Sequence, residues 1–343
     1  MTPRTLLVKL MNREILTAQE ASGLMESLIS GDLPQAMAGA LLTALRMKRE
    51  TSEELAAMAR VLLKHAPSVP CARRPLLDTC GTGGDGLGTF NISTTVAFVA
   101  AGAGVAVAKH GNRSASGRCG SADVLESLGV EIDLSPEAVG RCITETGIGF
   151  LFARSFHRAV GNMAQVRKDL GVPTVFNLLG PLANPARPDC QCMGVNDGSR
   201  LEEIARVLSS LGVKHAFVVV GSDGMDEAAL HGPTDAVEMR DGMLVRHRWH
   251  PEDFGVDPAD LNTLQGGDAA ENARILRRIL EGEKGPRRDV VLVNAALTLM
   301  AADLADSPRE GARLAAEVID SGAAMAKLDA LIRFTREYRV EKE

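Results

Sequence analysis

Through the first 66 positions the apolar residues recur at helical spacing, and the chain starts and stops its helices with recognisable signals. Thr2-Pro3 offers an N-cap followed by proline at the first helical position. Thr17-Ala18-Gln19-Glu20 and Thr51-Ser52-Glu53-Glu54 are capping boxes, each with Glu three residues after the cap. Gly31 and Pro67 stand where the second and fourth helices should stop. Between them Pro34 to Lys48 is amphipathic, and its stripe Met37, Leu41, Leu42, Leu45 fits either a core face or a dimer face.

After a linker marked by Pro67, Pro70 and Pro75 the period changes. Leu76 to Cys80 and Val105 to Lys109 are short strand-like runs separated by a helical stretch. Gly149 to Phe152, Gln191 to Val195 and His215 to Val220 read as further buried strands. Helical segments over Ser121 to Leu128, Pro136 to Thr146 (capped by Ser135) and Arg200 to Leu211 alternate with them. Such alternation predicts an α/β fold with a mostly parallel central sheet, which binds ligands at the carboxyl ends of its strands. Asp241-Gly242, between Ala236–Met239 and Met243–His247, predicts a hairpin, and the tail from Ala270 reads as helical.

At 343 residues with 45% apolar composition, the chain can build one large domain and an appendage. A net charge of −6 and only 3% aromatic residues exclude a basic, ring-lined nucleic-acid groove. The six cysteines lack metal-ligand spacing and read as free thiols of a reducing compartment. The longest apolar run, Val96 to Ala108, is too short to span a bilayer, so the expectation is a cytoplasmic, membrane-free protein.

The chemistry concentrates after the first strand. Asp78-Thr79-Cys80-Gly81-Thr82-Gly83-Gly84-Asp85-Gly86-Leu87-Gly88-Thr89-Phe90-Asn91-Ile92-Ser93-Thr94 opens a stretch with no acidic residue between Asp85 and Asp123, and Lys109-His110-Gly111-Asn112-Arg113 follows. Glycines that let backbone N–H groups approach a ligand, with hydroxyls and cations nearby, describe a phosphate or pyrophosphate site. Gly81 to Gly86 fits the letter of the dinucleotide fingerprint, yet the acidic residue required about 20 positions on is missing. The nucleoside-triphosphate loop fails as well, because Leu87 follows Gly86 where Lys-Ser/Thr is needed.

A second pole follows the run His215 to Val220, in Gly221-Ser222-Asp223-Gly224-Met225-Asp226-Glu227. Taken alone, Asp and Gly here describe a solvated turn. Paired with a phosphate loop that has no carboxylate cluster of its own, Asp226 and Glu227 become candidate ligands for one or two magnesium ions.

These blocks, with Asn177-Leu178-Leu179-Gly180-Pro181-Leu182-Ala183-Asn184-Pro185, resemble the anthranilate phosphoribosyltransferases from about Leu10 to about Thr335. The resemblance implies a small all-helical domain plus a larger α/β domain of the nucleoside phosphorylase and phosphoribosyltransferase type. Here these would be residues 1–70 with a helical insert at about 156–188, and residues 71–155 with 189–343. It implies a homodimer paired through the helical part. It implies transfer of the phosphoribosyl group of phosphoribosyl pyrophosphate to the amino nitrogen of anthranilate, in tryptophan biosynthesis, with Mg2+ as cofactor. Phosphoribosyl pyrophosphate would lie on Gly81, Gly84, Asp85, Thr89, Asn91, Ile92, Ser93, Thr94, Lys109, His110, Gly111, Asn112, Arg113, Ser114, Ala115, Ser116, Gly117 and Ser121. Magnesium would sit on Ser93, Asp226 and Glu227, and anthranilate near Gly81, His110, Asn112, His157, Arg167 and Pro181. No general base is assigned, because a neutral amine is already nucleophilic.

The chain departs from the family where proline is usual at 154, 158 and 165, with Arg154, Arg158 and Gln165, and at 220, where Val replaces a common His. The two arginines would stand beside the acceptor channel, and Val220 precedes the acidic turn. A nucleoside phosphorylase on the same architecture would not need the Asp226-Glu227 pair, and a nucleic-acid-binding relative would carry a basic surface.

Overall fold

The computed structural model describes residues 1–114 and 118–340, with side chains to residue 338. Helices α1 (Pro3–Met11), α2 (Ala18–Ser30), α3 (Gln35–Lys48) and α4 (Ser52–His65) come first. Both capping boxes form with bonds in each direction, and Gly31 closes α2 in the left-handed conformation at φ 83°. Glu54 does more than cap: its buried carboxylate also receives the Leu16 N–H at 2.8 Å and the Lys48 ammonium at 2.6 Å, tying α4 to α3 and to the connection that leads into α2. Leu41, Leu42 and Leu45 are buried core residues, which settles the open reading of the α3 stripe for those three positions.

The strands are β1 (Leu76–Gly81), β2 (Ala106–Gly111), β3 (Ile148–Phe152), β4 (Cys190–Gly194), β5 (His215–Gly221), β6 (Thr234–Arg240) and β7 (Met243–Trp249). They form one sheet in the order β3-β2-β1-β4-β5-β6-β7. The first five are parallel and the last two antiparallel. The hairpin between β6 and β7 turns at Asp241 and Gly242 with positive φ at both, as a two-residue turn of matching twist requires.

Alternation along the strands divides the core in two. Leu77, Val107, Cys192, Phe217 and Val219 face one cluster, with α5 (Ile92–Gly102), α13 (Pro286–Ala301) and α14 (Pro308–Asp320). Cys80, Met193, Ala216, Val218 and Val220 face the other, which is continuous with Leu24, Leu41 and Leu55 of the first helices. Met163, Val166, Val175 and Leu179 join that second cluster from α9 (Ala164–Leu170), the turn before it and α10 (Val175–Leu182). No helix among the described residues is long and apolar enough to cross a membrane.

Candidate active site

Strand order reverses between β1 and β4, and a parallel sheet opens a crevice at that switch point beyond the carboxyl ends of its strands. The phosphate loop leaves β1 there, Lys109 to Ser114 end β2, Asn196 follows β4 and the acidic turn follows β5. The sheet thus gathers at one edge what the chain spreads over 150 positions.

Gly81 and Gly83 show why the loop is glycine-built. A Cβ on Gly81 would stand 2.3 Å from Asp226 Oδ2, and Gly83 adopts φ +67°, a region that disfavours side chains. With the side chain gone, the Gly83 N–H donates to Asp226 Oδ2 at 2.6 Å. At the helix start beyond the loop, the Ser93 N–H donates to Glu227 Oε1 at 3.1 Å. Asp226 therefore touches the phosphate loop, and Glu227 the helix start that follows it.

Lys109 is buried. Its ammonium donates to the Thr79 carbonyl at 2.6 Å and to Ser93 Oγ at 3.4 Å, so it fixes Ser93 from beneath. Burial lowers its pKa, against the opposing pull of Asp78. Burial also pushes Glu227 up to about 8, with Asp226 adding repulsion, and it raises Asp226, with Asp85 as the nearest repelling charge. Asp85 Oδ2 is itself buried with no hydrogen-bond partner.

Three carboxylates crowded into one half-buried corner call for a cation. Among the described residues no group of three or more His, Cys, Asp or Glu is placed to hold a metal unaided. Magnesium needs only one or two protein carboxylates, with water and substrate phosphate completing its octahedron. Asp226, Glu227 and the Ser93 hydroxyl are hard oxygen donors of that kind, and they fit it.

On the acceptor side, His110 Nδ1 pairs with the Gly180 carbonyl at 3.1 Å and His157 Nε2 with the Ala183 carbonyl at 2.9 Å. The two rings meet edge to face at 5.2 Å. Burial, helped by His157, pushes His110 down to about 3, so it is neutral and its buried, unpartnered Nε2 is an acceptor. Arg167, on α9, lies over the Phe176 ring at 5.3 Å and has no ion pair among the described residues. Phe176 belongs to α10, which also carries Gly180 and Pro181. Arg154, within α8 (Ala153–Phe156), and Arg158, which opens the 3-10 turn Arg158–Met163, are both exposed.

Other expected contacts are arranged differently. The Arg113 guanidinium is held by Asp123 at 3.0 Å and by Glu126. The Ile92 side chain is in the core and its N–H already meets the Phe90 carbonyl at 2.8 Å. Thr94 is buried within the first turn of α5. Asn91 ties Cys119 and Asn272 together, and the exposed Asn112 accepts the Ser121 hydroxyl on its carbonyl at 3.3 Å. Gly84 and Thr89 lie on the phosphate loop, Gly111 is the last residue of β2, and the Ser114 N–H is taken by Asp123 Oδ2 at 3.1 Å. Ala115, Ser116 and Gly117 lie outside the described residues.

Sequence reading passed over four side chains. Asp78 receives the His110 N–H at 3.2 Å and Asn184 Nδ2 at 2.8 Å, locking β2 and the acceptor histidine to β1. Gln191 donates to the Pro181 carbonyl at 2.9 Å. Asn196 and Gln265 bond to carbonyls of the phosphate loop. None carries a motif signal; only a buried polar residue inside an apolar strand, as at Asp78 and Gln191, could have drawn attention.

Two family models match: the glycosyl transferase family α/β domain over residues 73–325 and the glycosyl transferase family helical bundle domain over residues 4–66. The anthranilate phosphoribosyltransferase of Symbiobacterium thermophilum is 52% identical over 326 residues, covering 95% of this chain and 96% of that one. The chain belongs to the anthranilate phosphoribosyltransferase family. The Geobacter sulfurreducens member is 50% identical over 346 residues, covering 96% and 99% of the two chains. Among solved structures, the Thermus thermophilus anthranilate phosphoribosyltransferase superposes with a TM-score of 0.91 at 46% identity, covering 96% and 99% of the two chains. The Saccharomyces cerevisiae anthranilate phosphoribosyltransferase in complex with PRPP and Mg superposes at 0.87 with 28% identity, covering 98% and 99%. The expected family and fold class are thus shown.

Proposed function

We propose that the chain transfers the phosphoribosyl group of phosphoribosyl pyrophosphate to the amino nitrogen of anthranilate, releasing pyrophosphate. The observation that carries this reading is the pair of hydrogen bonds from Gly83 and Ser93 to Asp226 and Glu227, which joins a phosphate loop to an acid pair. Breaking the C1–O bond leaves an oxocarbenium-like sugar and a highly charged leaving group. Backbone N–H groups aimed at the pyrophosphate stabilise that charge as it develops. Asp226, Glu227 and Ser93 would hold magnesium, which when bound supplies neutralisation of the leaving group.

Arg167 would receive the anthranilate carboxylate through two parallel N–H···O bonds, for which a planar guanidinium is suited and an ammonium is not. Neutral His110 presents Nε2 as an acceptor, able to take a hydrogen bond from the amine without competing for the carboxylate. The half-buried His157, whose pKa burial also lowers, orients it by ring contact.

The reading extends to the assembly. Residues 1–70 with 156–188 would form the small domain, and a second copy would pair across α1 and α3. There Met11 and Met47, 69% and 71% exposed, flank an apolar groove of about 650 Å³. A cytoplasmic location fits a biosynthetic transferase with free cysteines. Loss of anthranilate fluorescence on adding phosphoribosyl pyrophosphate and magnesium tests the reaction, and a flat trace would refute it. Sedimentation tests the pairing.

A further inference from the structure

A phosphate loop faces a conflict that glycine does not resolve. Each peptide unit that offers its N–H to an anion also carries a carbonyl, and in a freely moving loop those carbonyls swing toward the ligand and repel it. In this chain three loop carbonyls are taken by donors from outside the loop. Asn196 Nδ2 donates to the Gly83 carbonyl at 3.1 Å. Gln265 Nε2 donates to the Leu87 carbonyl at 2.8 Å. The Gly266 N–H donates to the Gly88 carbonyl at 2.9 Å.

Both amide-bearing segments are anchored. Around Gln265, the Phe90 N–H meets the Leu264 carbonyl at 3.1 Å, and Thr89 and Gln265 form an antiparallel bridge. Arg287, at the start of α13, holds the back of this strap with bonds to the Gln265 carbonyl at 2.9 Å and the Thr263 carbonyl at 3.2 Å. Asn272 closes its far end, receiving the Gly267 N–H at 2.8 Å and donating to Asn91 at 3.0 Å. On the other side, the backbone of Asn196 packs so close to the acidic turn that a Cβ on Gly224 would stand 3.1 Å from its carbonyl. The neighbouring Asp197 and Ser199 are pinned by Arg49 from the end of α3.

We infer that Asn196 and Gln265 are positioning residues that make the glycine loop an anion site by turning its carbonyls outward. The inference rests on the proposed substrate, since it concerns how the same loop receives a pyrophosphate. Asn196 acts on the half of the loop that touches Asp226. Gln265 acts on the half that leads into α5. Neither side chain need touch the ligand.

The test uses Asn196→Ala, Gln265→Met and the double variant in the full chain. A single neutral hydrogen bond of this type corresponds to about a three- to tenfold change in an equilibrium constant. Each single variant is therefore expected to raise the KM for phosphoribosyl pyrophosphate by about three- to tenfold, and the double variant by about ten- to a hundredfold. The KM for anthranilate should stay within about twofold, because its proposed carboxylate anchor, Arg167, lies on α9. Calorimetric titration with the magnesium salt of phosphoribosyl pyrophosphate should show the same ratios. Unchanged affinity for that ligand, or equal rises in both KM values together with a lowered melting temperature, would overturn the inference. Should Gln265→Met fail to fold, Arg287→Lys loosens the same strap while keeping the charge, and the same split is expected at smaller size. If wild-type protein binds phosphoribosyl pyrophosphate yet leaves anthranilate untouched, the proposed reaction fails while the titration arm still decides the loop.

Discussion

Glu227 accepts the Ser93 N–H at 3.1 Å, although 134 positions separate the two in sequence. Two of the three residues expected to hold magnesium are thus in contact, and the third, Asp226, is held by Gly83 on the same loop.

Exchange of both acids for amides separates function from stability. Asp226→Asn with Glu227→Gln should abolish magnesium-dependent turnover. In magnesium-free buffer it should also stabilise the fold at alkaline pH. Both carboxyls have folded pKa values raised above their unfolded ones, so the unfolded chain ionises first as pH climbs. Their contribution to stability is intact below about pH 4 and is lost on rising toward about 8, the value of Glu227. The double variant lacks that loss. Melting curves in chelator at pH 5 and pH 8 check it: wild type should fall more than the variant between the two. Equal falls would show that the pair is not strained without metal.

Lys109→Met probes the floor of the site. The lysine reaches Ser93 and the Thr79 carbonyl, so its loss unseats a candidate magnesium ligand and leaves a buried carbonyl unpaired. A stability loss of about 1–3 kcal/mol is expected from the unpaired group. The KM for phosphoribosyl pyrophosphate should rise more than that for anthranilate. The reverse ordering in steady-state kinetics would move Lys109 to a purely structural role.

Much of this arrangement was legible beforehand, and the reason is local. Capping boxes, the left-handed glycine after α2, the Asp241-Gly242 turn and the alternating strands are written within a few residues of where they act. The site was legible to the extent that its parts are contiguous blocks. What could not be read were partnerships across the fold. Asp78 with Asn184, Gln265 with Leu87 and Asn196 with Gly83 span 106, 178 and 113 positions, and no periodicity encodes them. The acidic partners of Arg113 were unreadable for the same reason. Its sequence neighbours suggest a phosphate, while α6 (Ser121–Ser127) brings Asp123 and Glu126 to it.

His110 should leave a mark on the acid limb of the stability curve. Burial depresses its pKa from about 6.5 to about 3. The unfolded chain takes up that proton first as pH falls, so the stability present above about 6.5 is lost on descending toward 3. His110→Gln keeps a polar side chain without this titration. Denaturant midpoints measured from pH 7 to pH 4 should therefore decline less steeply for the variant, by on the order of a few kcal/mol in total. Parallel declines would mean that the imidazole is solvated.

Gly194→Ala tests how tightly the acidic turn is seated. A Cβ there would stand 1.6 Å from the Asp226 carbonyl oxygen, a backbone atom that cannot rotate away. The turn must shift, so magnesium-dependent activity should drop at least about tenfold while the loop-side ligands stay in place. Gly23→Ala serves as control: nothing lies within 4 Å of its added carbon, and a helical Gly-to-Ala change should stabilise by about 0.5–1 kcal/mol. Equal effects of the two variants on activity would refute the close seating.

Arg167 decides acceptor identity. It makes no ion pair with Asp169, two residues on, whose Oδ1 accepts from Gln165 Nε2 at 2.6 Å. The guanidinium lies over the Phe176 ring with its Cζ 5.3 Å from the centroid, partly desolvated, with burial alone lowering its pKa. A half-buried cation without an ionic partner among the described residues is costly unless an anion arrives to meet it. The ring contact restrains the guanidinium, and with no ionic partner among the described residues its N–H donors remain available to a carboxylate. Each charge-assisted hydrogen bond contributes about 1.5–3 kcal/mol. Arg167→Ala, which removes two such bonds, should thus weaken anthranilate binding by about two to four orders of magnitude, with phosphoribosyl pyrophosphate affinity changed by less than about threefold. Arg167→Lys should recover little, since an ammonium neither stacks on Phe176 in the same way nor offers two parallel donors. Titration of both variants with anthranilate is the measurement. Wild-type affinity in both would place the carboxylate elsewhere, and the exposed Arg154 and Arg158 would be the next residues to change.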